Sequence, residues 1–142
     1  MWISNENEFT LILLDTMLLS EFRKARPHPK AAAWLRLQTA GNVYLSVISL
    51  GEIERGINRA TDRVFAAELS LWLEDTLRFY ADRVLPITPD ISRRWGRLSA
   101  ELNHDGVDLL IAATAASHRL TVATRNIRHF KPTGVSLIDP YL

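Results

Sequence analysis

Residues 11–21 read LILLDTMLLSE, and the apolar run that ends inside this stretch decides the fold. From Phe9 to Leu14 the chain predicts a strand with no polar alternation, the pattern of a strand covered on both faces, as in a parallel sheet. Asp15 closes the run. Taking a lone carboxylate out of water is costly, so its place at the end of a buried strand asks for a partner. Amides of the following turn would serve, and so would a cation.

Outward from this strand, helices and strands alternate almost throughout. After Pro27 and Pro29, the spacing predicts a helix over Lys30 to Ala40, stopped by Gly41, and then a strand over Val43 to Ile48. Leu50 to Asn58 reads as a short helix and Thr61 to Asp82 as the longest one, with Val64, Leu69, Trp72, Leu73, Leu77 and Tyr80 along one face. A strand at Val84 to Ile87, helices at Asp90 to Asn103 and Val107 to His118, and strands at Leu120 to Thr124 and Val135 to Ile138 complete the series. The small residues of IAATAA in the last helix permit close approach to a sheet. Alternation of this kind favours one three-layer α/β/α domain with a mostly parallel central sheet.

The 142 residues are the length of a single domain, and 47% hydrophobic with 23% charged residues is an ordinary globular composition. One core is expected. The absence of cysteine excludes zinc-ribbon and disulfide scaffolds and fits a reducing compartment. No apolar run is long enough to span a bilayer, and residues 1–10 lack the pattern of a signal peptide, so a cytoplasmic protein without a membrane partner is expected. A net charge of +1 says little about partners, but two clusters are basic: Arg23, Lys24, Arg26 and Lys30 beside Glu21, and Arg125, Arg128 and Lys131 with no acid. Each is either a solvated surface or a phosphate contact.

Ligand sites in parallel sheets lie outside the carboxyl ends of the strands. Asp15, Glu52 and Asn126 follow predicted strands, and Asp108 begins a predicted helix that can share that edge. Carboxylates brought together repel unless a proton or cation intervenes. An all-oxygen set without cysteine suits Mg²⁺ or Mn²⁺, which could polarise a phosphodiester and activate water. Each residue also has a simpler role. Ser49 and Glu52 match a capping box, Asp108 could stabilise a helix start, Asp105 offers another cap or ligand, and Asn126 could be a turn residue. Glu21 is most simply a partner for Arg23 or Lys24, Glu101 lies on a solvated face, and Trp2, Trp34, Trp72 and Trp95 read as packing residues.

The segments LLDTMLLSE (13–21), YLSVISLGEIERG (44–56) and DLLIAATAASHRLTVATRN (108–126), followed by His129 and Phe130, resemble in order and spacing the PIN domain, and within it the VapC and FitB type toxins of toxin–antitoxin pairs. The resemblance implies a PIN-like domain over residues 11–142 after an extension at 1–10. It implies a metal-dependent endoribonuclease, with Asp15, Glu52 and Asp108 holding Mg²⁺ or Mn²⁺ and Asn126 in a fourth catalytic position. Arg23, Lys24, Arg26, Arg125 and Arg128 would meet RNA. A cognate antitoxin would present an amphipathic segment and a basic side chain to the acids, homodimers are expected, and DNA would be reached only through the antitoxin.

The chain departs from the pattern at Met17, where a small polar residue is usual, at Asn126 and His129, where acids are common, and in a shortened loop, NHDGV, before Asp108. Those departures motivate a second reading: a catalytically weakened protein acting mainly as an antitoxin partner in a DNA-binding complex. A haloacid phosphatase is disfavoured because it wants an acid two residues after Asp15, where Met17 stands.

Overall fold

The computed structural model describes residues 10–142, so Trp2, most of the 1–10 extension and the start of the predicted first strand lie outside the described residues. Five strands form one all-parallel sheet: β1 (Ile12–Leu14), β2 (Val43–Ser46), β3 (Val84–Leu85), β4 (Thr121–Ala123) and β5 (Leu137–Ile138), in the order β3-β2-β1-β4-β5. The three-layer expectation holds, and the sheet is wholly parallel among the described residues.

Helices cover both faces. Against one lie α1 (Thr16–Glu21), α2 (Pro29–Leu37), α3 (Val47–Arg59) and α4 (Arg63–Phe79); against the other lie α5 (Pro89–Leu102), α6 (Val107–His118) and the single turn α7 (Ile127–Phe130). The expected single core is therefore two layers. Ile12 and Leu14 point to the first with Leu18, Leu19, Ile53 and Leu73, while Leu13 points to the second with Ile111, Ala112, Val122 and Phe130. Alternate residues of one strand serve both layers because successive strand side chains face opposite ways, which is why the run is apolar without interruption.

Helix α6 is buried from Ile111 to Ala115, and its small side chains explain how it seats on the sheet. Trp34 and Trp72 pack against the first core as expected, and Trp95 is half-buried. Among the described residues no helix is long and apolar enough to cross a membrane.

Several boundaries move. Helix α2 ends at Leu37, three residues before the predicted Ala40, and a 3₁₀ turn occupies Ala40–Asn42. Strand β2 stops at Ser46, whose hydroxyl accepts from the Ile48 amide at 3.1 Å and starts α3 there. This corrects the capping box: Ser49 and Glu52 lie inside α3, and Glu52 is in its second turn. The apolar run VYLSVI masked the cap because Ser46 sits within it. Helices α1 and α7, unmarked by strong periodicity, were not anticipated.

Candidate active site

Strands β1 and β4 are neighbours, and the chain runs from β1 to β2 on one side but reaches β4 and β5 on the other. This reversal is the topological switch point, where the loops after adjacent strands diverge and leave a crevice. Asp15 follows β1 there, its backbone N–H still donating to the Ala123 carbonyl at 3.0 Å. Its side chain is only 3% exposed.

The buried carboxylate has a defined partner. Thr124, next after β4, donates from Oγ1 to Asp15 Oδ2 at 2.8 Å, and Thr124 Oγ1 accepts from the Asn126 backbone N–H at 2.9 Å. Desolvation pushes the Asp15 carboxyl up to about 6, aided by the negative charges of Asp108 and Glu52 and opposed by the Thr124 hydroxyl and the Thr16 amide. The hydrogen bond from Thr16, the next residue, sets Glu52 beside Asp15 at this edge of the sheet, and Asp108 lies near enough for its charge to act on Asp15.

Glu52 is held by a second hydroxyl. Thr16 Oγ1 donates to Glu52 Oε1 at 2.6 Å and lies 2.7 Å from Ser49 Oγ. A threonine has one hydroxyl proton, so with Thr16 donating to Glu52, buried Ser49 donates to Thr16. Ser49 and Glu52 are three apart on α3 and share a face, which supplies the purpose the capping box had been given.

Asp108 lies in the first turn of α6, half-buried. Gly106 holds the N-cap position with no side-chain cap, so exposed Asp105 is not the cap. The shortened loop closes because Asn103 ends α5 in the left-handed conformation, φ 57°. Asp108 Oδ2 faces His129 Nδ1 at 3.7 Å, and His129 stands exposed on α7 beside this acid. Asn126 precedes α7 and turns its Nδ2 to the Met17 Sδ at 3.3 Å. The departures at 17 and 126 thus contact each other, and the Asn126 Nδ2 is engaged by the Met17 sulfur.

The donors are oxygens throughout. Among the described residues no three acidic or histidine side chains enclose a common point. This set suits a cation held directly by one or two carboxylates with water completing its shell, the usual habit of Mg²⁺, rather than an all-protein cage. Asp15 gains most from such a charge, since it is the most buried of the acids.

Of the basic residues, Arg23, Lys24 and Arg125 line one cavity of about 310 Å³ beside this edge, with Thr16, Met17 and Tyr141. Arg26 and Arg128 are exposed and do not line it. Glu21 pairs with Lys24 at 2.9 Å, as expected, and also accepts from Tyr141 Oη at 3.2 Å. Sequence reasoning missed Thr16, Ser49, Thr124 and Tyr141. The first and third stand directly beside the motifs, in DT and ATRN, where a hydroxyl next to a strand-end acid was the available signal.

A family model described as PIN domain matches residues 12–134. The chain is 34% identical to VapC ribonuclease Y4jK of Sinorhizobium fredii, over 92% of this chain and 98% of that protein. The crystal structure of FitAcB from Neisseria gonorrhoeae superimposes with a TM-score of 0.82 at 31% identity, over 92% of this chain and 99% of that one. A structure of FitAB bound to an IR36 DNA fragment gives 0.81 at 30% identity, covering 93% and 96%. With most of its length matched by the family model and by these relatives, the chain belongs to the PIN-domain family, alongside VapC and FitB.

Proposed function

We infer that the protein is the toxin of a toxin–antitoxin pair and an endoribonuclease, hydrolysing RNA phosphodiester bonds at the edge where Asp15, Glu52 and Asp108 meet. The observation that carries this is a buried Asp15 at the switch point, held by Thr124, with Glu52 tied to the adjacent Thr16. Asp15, Glu52 and Asp108 would hold Mg²⁺ or Mn²⁺, one or two of them directly and the rest through water, and the ion would supply Lewis acidity to the phosphodiester and to the attacking water. Thr124 and Thr16 fix the carboxylates of Asp15 and Glu52, limiting their rotation. His129 orients Asp108. Arg23, Lys24, Arg26, Arg125 and Arg128 meet the RNA backbone. The name of the Sinorhizobium relative, a ribonuclease, supports the reaction class.

A cognate antitoxin covers this edge and sets a basic side chain among the acids, and homodimers of the toxin carry it. The FitAB structure, bound to a DNA fragment, supports an assembly that reaches DNA through its antitoxin. The test is cleavage of labelled RNA by protein freed of its partner, with Mg²⁺ or Mn²⁺, beside Asp108→Asn. Discrete products that Asp108→Asn forms about a hundredfold more slowly support the reading. No cleavage with either metal overturns it.

One observation favours a second reading. The Asn126 amide is engaged with Met17, so the fourth position contributes neither charge nor that donor to the edge, as in a catalytically weakened protein that serves mainly as the antitoxin's partner. Calorimetric titration with Mn²⁺ separates the two: binding supports the nuclease, and none supports the weakened partner.

A further inference from the structure

The strand order sets three segments side by side at the carboxyl edge: α1 and its following turn after β1, Arg125 after β4, and Asp139 to Tyr141 after β5. They enclose the cavity of about 310 Å³ that holds Arg23, Lys24 and Arg125, and Thr16 is common to this cavity and to the hydrogen-bond chain of Glu52. A second cavity, of about 250 Å³, continues from Thr16, Ser20 and Arg23 past Glu52 to Phe65. A basic channel therefore opens directly beside the acids.

Two arginines of this channel are held against aromatic rings. Arg125 lies over the Tyr141 ring, 4.6 Å from its centroid, and Arg23 lies over Phe65 at 5.1 Å. Neither pairs with a carboxylate among the described residues; the acid in the cavity, Glu21, is taken by Lys24. Stacking occupies the face of a guanidinium and leaves its N–H edge free, the geometry that meets a phosphate with two donors.

Tyr141 is itself fixed on three sides. Its Oη donates to Glu21, His28 meets its ring edge-on at 5.0 Å, and its backbone N–H donates to Asp139 Oδ1 at 2.9 Å. Burial and the Glu21 charge push its hydroxyl up to about 12, so it remains a donor. The ring also packs against the first core, which anchors it below the guanidinium of Arg125. Tyr141 also lies beyond the residues that the family model matches, 12–134.

We propose that Tyr141 is a positioning residue for RNA: it holds the Arg125 guanidinium at the mouth of the cavity, where Arg125, Arg23 and Lys24 bind the phosphate next to the one hydrolysed at the acids. This rests on the endoribonuclease reading and names the part of the substrate that the neighbouring cavity takes. Tyr141 touches no reacting atom and acts through Arg125.

The experiment measures binding of a short 5′-labelled oligo(A) RNA to partner-free protein by anisotropy, in EDTA to prevent cleavage, across a salt series. Tyr141→Leu is expected to weaken binding about threefold at low salt and to flatten the salt dependence by about 0.7 in log–log slope, one phosphate contact on a single strand. Tyr141→Phe, which keeps the ring, retains the slope of the unaltered protein. Arg125→Met shows the same loss, and adding Tyr141→Leu to it costs nothing further. Should Tyr141→Leu fail to fold, Arg125→Met at an exposed position carries the same slope test.

An unchanged slope in Arg125→Met or Tyr141→Leu overturns the proposal, as does a full additional loss in the double variant or a Tyr141→Phe protein as weak as Tyr141→Leu. Variants that bind RNA normally but lose the antitoxin assign the cavity to the protein partner and also overturn it. Failure of the hydrolysis reading appears separately, as absence of cleavage when metal is supplied, while the slopes in EDTA report the cavity alone.

Discussion

The hydroxyl of Thr124 donates to Asp15 Oδ2 at 2.8 Å, across 109 positions of sequence. The bond spans the switch point of the sheet and joins the segments that follow its central neighbours β1 and β4. It is also the link through which the loop carrying Asn126 is tied to the acid edge, since the Asn126 N–H donates to Thr124 Oγ1.

Thr124→Val keeps the shape but leaves a buried carboxylate oxygen and the Asn126 amide without this partner. The expected cost is about 2 kcal/mol of stability, together with slower RNA cleavage. Thr124→Ser restores both. Urea melts and cleavage rates on the three proteins check this, and equal stability of the valine variant would contradict the bond's role.

Asp15 sets a pH dependence of the metal-free protein. Its carboxyl is raised from 3.8 to about 6 in the folded state, so between those values the folded protein holds a proton that the unfolded chain has released. Stability is full below the lower value and falls as pH rises through the higher, by about 3 kcal/mol for a shift of this size. Asp15→Asn removes this component. In EDTA, the variant should therefore gain on the unaltered protein between pH 4 and pH 7, roughly by that amount. A constant difference across the range would refute the shift.

Thr16→Val frees the Glu52 carboxylate and removes the partner of Ser49. By analogy with the loss of groups that orient metal ligands, RNA cleavage should fall about tenfold or more, with the circular dichroism spectrum unchanged. Thr16→Ser should cleave at nearly the original rate.

Phe130, beside His129 in the family resemblance, is fully buried in the layer with Leu13 and Val122. Its part is packing. Phe130→Ala should destabilise by about 3–5 kcal/mol, read from chemical denaturation, whereas His129→Ala at an exposed position should change stability by less than about 0.5 kcal/mol and reveal itself only in cleavage.

Much of the fold was legible because its physics is local. The uninterrupted run ending at Leu14 announced a strand buried on both faces, and α6 was read to its residue bounds from its small and apolar content. The boundary of α3 was not, since Ser46 ends a strand and caps a helix at once inside an apolar run, and no periodicity marks that exchange. Helix α1 has six residues, too few for a periodic pattern to stand out beside the strand that precedes it.

The sequence by itself determined the buried central strand and the acid, Asp15, that closes it, because burial pattern and strand-end chemistry are written in neighbouring residues. Only the tertiary structure decided what those acids touch. Thr124 reaches Asp15, Thr16 reaches Glu52, and Tyr141 reaches Arg125 because parallel pairing of β1, β4 and β5 and the packing of α3 bring their ends to one edge. Contacts of that kind depend on strand order, which no local run of residues encodes.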